Sequence, residues 1–345
     1  MRKRVIHPAF VLAAIVGGTF FAISSVRSII ELPHPAVPAA MTNVAEPPRP
    51  TVPTAVTQLT HDPASAMRPV WSPDGRLIAF DSVRDGSSHI YVMDAVGGHV
   101  RALTAGASDD RHPFWSRDGK YIVYDSVDGT RQDIWSVSVA DGTRTRVTRV
   151  DGLADFAAPS PDGQHLAYYV YKDFTLEIWS AAFDGSDARP LTNGLASARK
   201  NQPTSAWHQV AWSPDSRWIA YTGGSGRAIW IMRADGSDAK SLVDDGETNH
   251  FPWFLADGRL AFITEYIPPR YSASWTNAWA NNLETGERTL LLEHMCMQGP
   301  MDISADNSEV LFASPRGGHF DVYLINLSVP GGLQALHGKL SDGCA

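Results

Sequence analysis

The apolar positions fall in short runs rather than at helical spacing. Leu77-Ile78-Ala79-Phe80 is followed by a polar turn at Arg84-Asp85-Gly86-Ser87, then by Ile90-Tyr91-Val92-Met93, Val96-Gly97-Gly98 and Leu103-Thr104. The same order returns as Tyr121-Ile122-Val123-Tyr124, Ile134-Trp135-Ser136-Val137 and Val147-Thr148. Runs this short, rich in β-branched and aromatic residues and bounded by Asp-Gly or Gly-Gly, predict strands joined by tight turns.

Between the runs stands a recurring turn. Trp71-Ser72-Pro73-Asp74-Gly75 is the first copy, and Trp115-Ser116-Arg117-Asp118-Gly119 and Pro159-Ser160-Pro161-Asp162-Gly163 follow it. Trp212-Ser213-Pro214-Asp215-Ser216 is the fourth, with degenerate copies at Phe254-Leu255-Ala256-Asp257-Gly258 and Ile303-Ser304-Ala305-Asp306-Asn307. The aspartates lie 44, 44, 53, 42 and 49 residues apart, room for four short strands per unit. The Asp accepts hydrogen bonds from turn amides and the Gly tolerates positive φ, so these pairs read as turns without chemistry. A four-stranded meander cannot bury both faces alone. Six in a ring bury them against one another, which predicts an all-β, six-bladed propeller over 56–345.

The repeat of Leu-Thr, Trp-Ser-Pro-Asp-Gly, Ile-Ala-Phe, Ile-Tyr and Gly-Gly resembles that of the TolB-like propeller family. That family includes periplasmic TolB and relatives of the propellers of tricorn and prolyl-oligopeptidase-type proteases. The resemblance covers 56–338 and implies a six-bladed ring often used for protein contacts. It implies no single function, because binding proteins and enzymes share the repeat.

Two copies of the blade-ending strand compete to complete the sixth blade: Val56-Thr57-Gln58-Leu59-Thr60 before the ring and Gly331-Gly332-Leu333-Gln334-Ala335-Leu336 after it. The sequence does not choose between them. Cys296 and Cys344 are the only cysteines, and pairing and free thiols both stay open.

Ahead of the repeats, Arg2, Lys3 and Arg4 precede an uncharged stretch from Ala9 to Val26, with Ile29 and Ile30 beyond Arg27. That length predicts an uncleaved transmembrane anchor within 1–30, crossing the bilayer over about residues 8–30, with the N-terminus in the cytoplasm and the ring in the periplasm. A cleaved signal peptide is the rival. Seven prolines within 31–55 predict an extended tether.

Net charge is −8 and the basic residues are scattered, which argues against nucleic acid. Most of the eleven tryptophans fall at repeated strand positions, as Trp115, Trp135, Trp179, Trp212 and Trp230 do, and are expected to pack between blades. No metalloprotease, nucleophile-elbow, phosphate-loop or haem motif occurs, so no catalytic residue, cofactor or small-molecule substrate is expected.

Six and seven residues before each turn Asp, the innermost strand is entered at a channel mouth. Those positions hold Arg68, Arg111, His112, Asp155, His208 and His250, and a solvated polar rim is expected there. His208 and His250 on adjacent blades, with Asp155, are the weak metal candidates. Some polysaccharide lyases of this repeat family hold a metal by histidines in the channel, but their ligand set has no clear match here.

The longer intervals add two insertions on adjacent blades and on one face. One carries Arg199, Lys200 and Trp207. The other runs through Tyr266, Arg270, Tyr271 and Trp275, with Trp279 beyond it. Aromatics beside arginines have the composition of a protein contact. The expectation is therefore a non-catalytic, membrane-anchored periplasmic scaffold, an extrinsic subunit of an energy-converting or transport complex. The alternatives are a soluble TolB-like envelope protein and a metal-dependent lyase or hydrolase using the channel-mouth histidines.

Overall fold

The computed structural model describes residues 56–173, 175–195, 208–223, 227–266, 275–295, 297, 299–315 and 318–327. The anchor over 1–30, the tether over 31–55, both cysteines and the strand copy at 331–336 lie outside the described residues. Among those described, no helix is long and apolar enough to cross a membrane.

The strands form six antiparallel sheets of four. The first blade is Ala66–Trp71, Leu77–Ser82, His89–Asp94 and Arg101–Ala102, in that order from one side of the sheet to the other. Blades two to six begin with Asp109–Trp115, Leu153–Pro159, Val210–Trp212, Thr248–Phe254 and Asp302–Ile303. The second and third strands are buried on both faces, which is why their runs are continuously apolar rather than alternating.

The turn motif works as its residue types require. Ser72 Oγ donates to Asp74 Oδ1 (2.7 Å), which also accepts the Arg76 amide (3.1 Å), and the Leu77 amide donates to Ser72 Oγ (2.9 Å). Ser116, Ser160, Ser213 and Ser304 repeat the Ser–Asp bond. Blade five has Leu255 in place of the serine. Its turn closes earlier, from the Leu255 amide to the Arg259 carbonyl (2.9 Å), so Phe254 pairs with Leu260 where Trp71 pairs with Ile78.

The hydrophobic core is divided among the six seams between blades, each with its own buried cluster. The seam of blades five and six holds Phe251, Trp253, Phe312 and Tyr323 among others. The seam of blades four and five has the smallest cluster, Ala220, Ile229, Val243, Leu260 and Phe262.

The N-terminal strand closes the ring. Val56–Gln58 pairs with Asp321–Asn326 as the fourth strand of blade six. In blades one to three a threonine after the last strand accepts an amide of the third strand: Ile90 to Thr104, Ile134 to Thr148 and Ile178 to Thr192. Thr60 does this for Val322 across the closure (2.9 Å), and its hydroxyl donates to buried Asp321 (2.7 Å). Gln58 Nε2 reaches the other oxygen of that carboxylate (2.9 Å).

Candidate functional site

The innermost strands of blades one, two, three and five shift register at the same place, between Met67 and Val70, Arg111 and Phe114, Asp155 and Ala158, and His250 and Trp253. Within each shift one non-glycine residue has positive φ: Arg68 (52°), His112 (54°), Phe156 (52°) and Phe251 (50°). A left-handed side-chain-bearing residue costs about 1–2 kcal/mol. A bulge of this kind re-aims the side chains beside it.

They are aimed into a belt that crosses the seams. Arg68 grips Asp81 through Nε (2.7 Å) and a terminal nitrogen (2.8 Å), a bidentate pair. Asp81 also accepts the backbone amide of His112 in blade two. His112 Nδ1 lies 2.5 Å from Asp125 Oδ2, and Asp125 Oδ1 accepts the Phe156 amide of blade three (2.9 Å). The His112 ring packs on Phe156 with 3.9 Å between centroids, and Phe156 meets Tyr169 edge-on. Tyr169 is the counterpart of Asp81 and Asp125 along the second strand. Its hydroxyl accepts the Thr222 amide of blade four (3.1 Å) and faces the carbonyls of Gln209 (3.1 Å) and Thr222 (3.0 Å). At the closing seam Asp302 accepts the Trp71 amide (2.7 Å).

Burial sets the ionisation of this belt. It pushes the Asp81 carboxyl up against the opposing pull of Arg68. Burial and then the neighbouring Asp155 push Asp125 well up, and burial raises Asp155 to about 7 and Asp302 to about 6. Burial and then Arg68 and Arg111 hold the His112 imidazole well below its ordinary range. Burial lowers His208 and His250 to about 4, so both are neutral near pH 7.

The expected solvated rim is thus corrected. Asp155 and His112 are half-buried and Arg68 is turned onto Asp81, because the bulges fold these groups into the wall. His208 lies beside Tyr169, with 5.1 Å between centroids, and His250 meets Phe251 edge-on at 4.8 Å. Arg111 alone of the set is exposed, paired with Asp109 (3.0 Å). Among the described residues no group of three or more His, Cys, Asp or Glu is placed to hold a metal ion. Asp81 and Asp125 were missed from sequence. The Asp-Ser that follows the apolar run of the second strand in both blades, at Asp81-Ser82 and Asp125-Ser126, was the available signal.

Of the candidate contact residues, Arg199, Lys200, Trp207, Arg270 and Tyr271 lie outside the described residues. Tyr266 and Trp275 are paired in the strand register at the end of their hairpin. Trp279 is half-buried against the seam of blades four and five, with the Arg288 guanidinium 5.9 Å from its ring, so it is a packing residue. Trp115 and Trp212 wedge the seams as expected, their indoles donating to the carbonyls of Val70 (3.2 Å) and Ala158 (3.0 Å).

The register also fixes which way the long connections open. The hairpin of blade five opens beyond Tyr266 and Trp275, at the edge where Thr248 pairs with Glu265. Blade four is entered ahead of Val210, at the edge where Gly223 pairs with Ala228. Both connections therefore leave from the face opposite the Asp turns.

Six four-stranded meanders closed through a borrowed terminal strand make this chain a β-propeller. Residues 51–210 match the family described as the TolB beta propeller domain, and that part of the chain is TolB-like. It is similar to an uncharacterized protein of Agrobacterium fabrum, 29% identical over 109 residues, which are 31% of this chain and 34% of that protein. The chain spans no more than that share of the length of the curated relatives it matches. Among solved structures it is similar to a putative TolB from Agrobacterium tumefaciens, with a TM-score of 0.59, 19% identity, and 79% of this chain and 97% of that one covered. It is also similar to an oligogalacturonate lyase in complex with manganese, with a TM-score of 0.58, 15% identity, and 79% and 93% covered. At these identities the likeness is one of fold.

Proposed function

We propose that the chain is a non-catalytic protein-interaction disc of the periplasm, held at the membrane by its N-terminal segment as an extrinsic subunit of a membrane complex. The observation that carries this reading is the inequality of the two faces. One is closed by short Ser-x-Asp turns. The other is where the long connections of blades four and five both open. The belt groups support it, because Arg68 is held by Asp81 and His112 by Asp125 within their own blades, and both carboxyls accept backbone amides from the next blade. Anchor and tether raise local concentration, so each single contact can be weak.

The test is extraction in mild detergent with identification of co-purifying chains, repeated with 266–274 shortened to a Gly-containing turn. Partners present with wild type and lost with the shortened chain are expected. Wild type purifying alone would refute the stable-subunit reading, and full retention by the variant would remove that connection as the contact. Mass spectrometry of the mature N-terminus separates the anchored protein from a cleaved, soluble envelope protein. The likeness to a manganese-bound lyase keeps a metal-dependent enzyme as the second reading. A stoichiometric transition metal lost on H208A/H250A would favour it.

A further inference from the structure

The outer strands of the blades differ in length. Those of blades one to four are Arg101–Ala102, Arg144–Arg146, Arg189–Pro190 and Lys240–Val243, and Val56–Gln58 serves blade six. In blade five the outer strand is Arg288–Met295, eight residues long. The sequence gives the reason. In blades one to three a threonine takes an amide of the third strand where the outer strand ends. In blade five the register sets Leu292 opposite Ala278, as the Leu103 amide meets the Ile90 carbonyl in blade one. Glu293 therefore falls where Thr104 would end the strand, and the pairing runs on to Met295. Among the described residues no strand pairs with the outer side of Arg288–Met295. An open edge of this length presents a row of amides and carbonyls to an extended chain. Leu290 is left exposed on it.

The chain itself supplies an occupant. The third strand of blade six ends at Asn326, and Leu327 packs on the same buried cluster as Leu291 and Leu292 of the open strand. Asn326 pairs with Glu309 and Arg288 with Asn281, and both pairs lie at the face of the Asp turns. The described chain thus ends at the seam, and on the face, where the open edge begins. Residues 328–345 follow, and they contain the surplus outer-strand copy Gly331-Gly332-Leu333-Gln334-Ala335-Leu336. Its ordinary place in blade six is taken by Val56–Gln58. Ser328, Val329 and Pro330 give about 10 Å of extended chain before Gly331, roughly two strand spacings. We propose that residues 331–336 add to the outer edge of Arg288–Met295 as a fifth strand of blade five. Entering from the face of the Asp turns, the segment runs parallel to that strand. It carries no charged side chain, so pairing there strands no charge beside Leu290. The added strand closes an edge that would otherwise template pairing with foreign chains.

Amide hydrogen exchange of the full chain, read by NMR, tests the pairing. The third strand of blade five engages only the inward amides of Arg288–Met295, so the outward ones exchange slowly only when a further strand covers them. Slow exchange is expected in wild type, and exchange at least about tenfold faster in L333P/Q334P. Prolines at adjacent positions remove an amide that faces the edge whichever way the segment is turned. A chain ending at Leu327, which keeps all six blades four-stranded, is the second variant and should match the first. Both variants are first shown to keep a cooperative thermal transition. Fast exchange of the outward amides in wild type, or slow exchange unchanged in both variants, would overturn the proposal. So would a loss of protection confined to Val56–Gln58, which would put the segment beside the closing strand. Wild-type protection that disappears on dilution would also overturn it, since the occupant would then be a second copy.

Discussion

Replacing Thr60 by valine tests whether the ring is held shut at blade six. Valine keeps the shape and removes two bonds: the donor to Asp321 Oδ1 and the acceptor for the Val322 amide. Both lie in a site where Thr60 and Asp321 are buried, so water does not replace them. A bond to a carboxylate is worth about 1.5–3 kcal/mol and an orphaned buried amide costs about 1–3 kcal/mol, so T60V should cost roughly 3–5 kcal/mol. Thr104→Val is the internal control. It removes the same acceptor from Ile90 inside a covalently continuous blade and should cost about 1–2 kcal/mol. Denaturant unfolding gives the two losses, and amide exchange at Val322 reports whether opening is local. Thr60→Ser, which keeps both bonds, should restore most of the stability. A T60V loss no larger than that of T104V would refute closure through this threonine.

Two further predictions concern pH and have opposite signs. His208 and His250 are neutral in the fold, with values lowered from 6.5 to about 4, so acid drives their protons onto the unfolded chain. The stability they carry is present above pH 6.5 and is lost as pH falls toward 4, by about 2–3 kcal/mol each. The double variant H208Q/H250Q should flatten that part of a stability–pH profile measured by urea titration. Asp155 is raised from 3.8 to about 7, so its burial costs stability as pH rises through that window. Asp155→Asn should therefore exceed wild type by about 1–2 kcal/mol at pH 8 and match it near pH 4, and equal stability at both would remove Asp155 from the buried set.

The architecture was legible because its signals are local. A serine, an aspartate and a glycine within one turn state their hydrogen bonds in their types and order, and Leu-Thr at a strand end announces the acceptor for the strand beside it. Ring closure was half legible: both terminal copies could be read, but only the pairing of Val56 with Ile325 chooses between them. The belt was not legible. Arg68, His112 and Phe156 are ordinary strand residues in sequence, and only their positive φ turns the chain so that Asp81 and Asp125 receive amides from the next blade.

The unequal seams make the ring unevenly stiff. Carboxylates tie blade six to one, one to two and two to three through directional bonds with little slack, and Tyr169 ties three to four. At the counterpart position of blade four the Thr222 hydroxyl has no hydrogen-bond partner among the described residues, and the seam between blades four and five has the smallest buried cluster of the six. Under thermal load or a pull from a bound partner, distortion concentrates in that compliant sector. A contact that spans those two blades would act as a shim, stiffening the ring where it yields most.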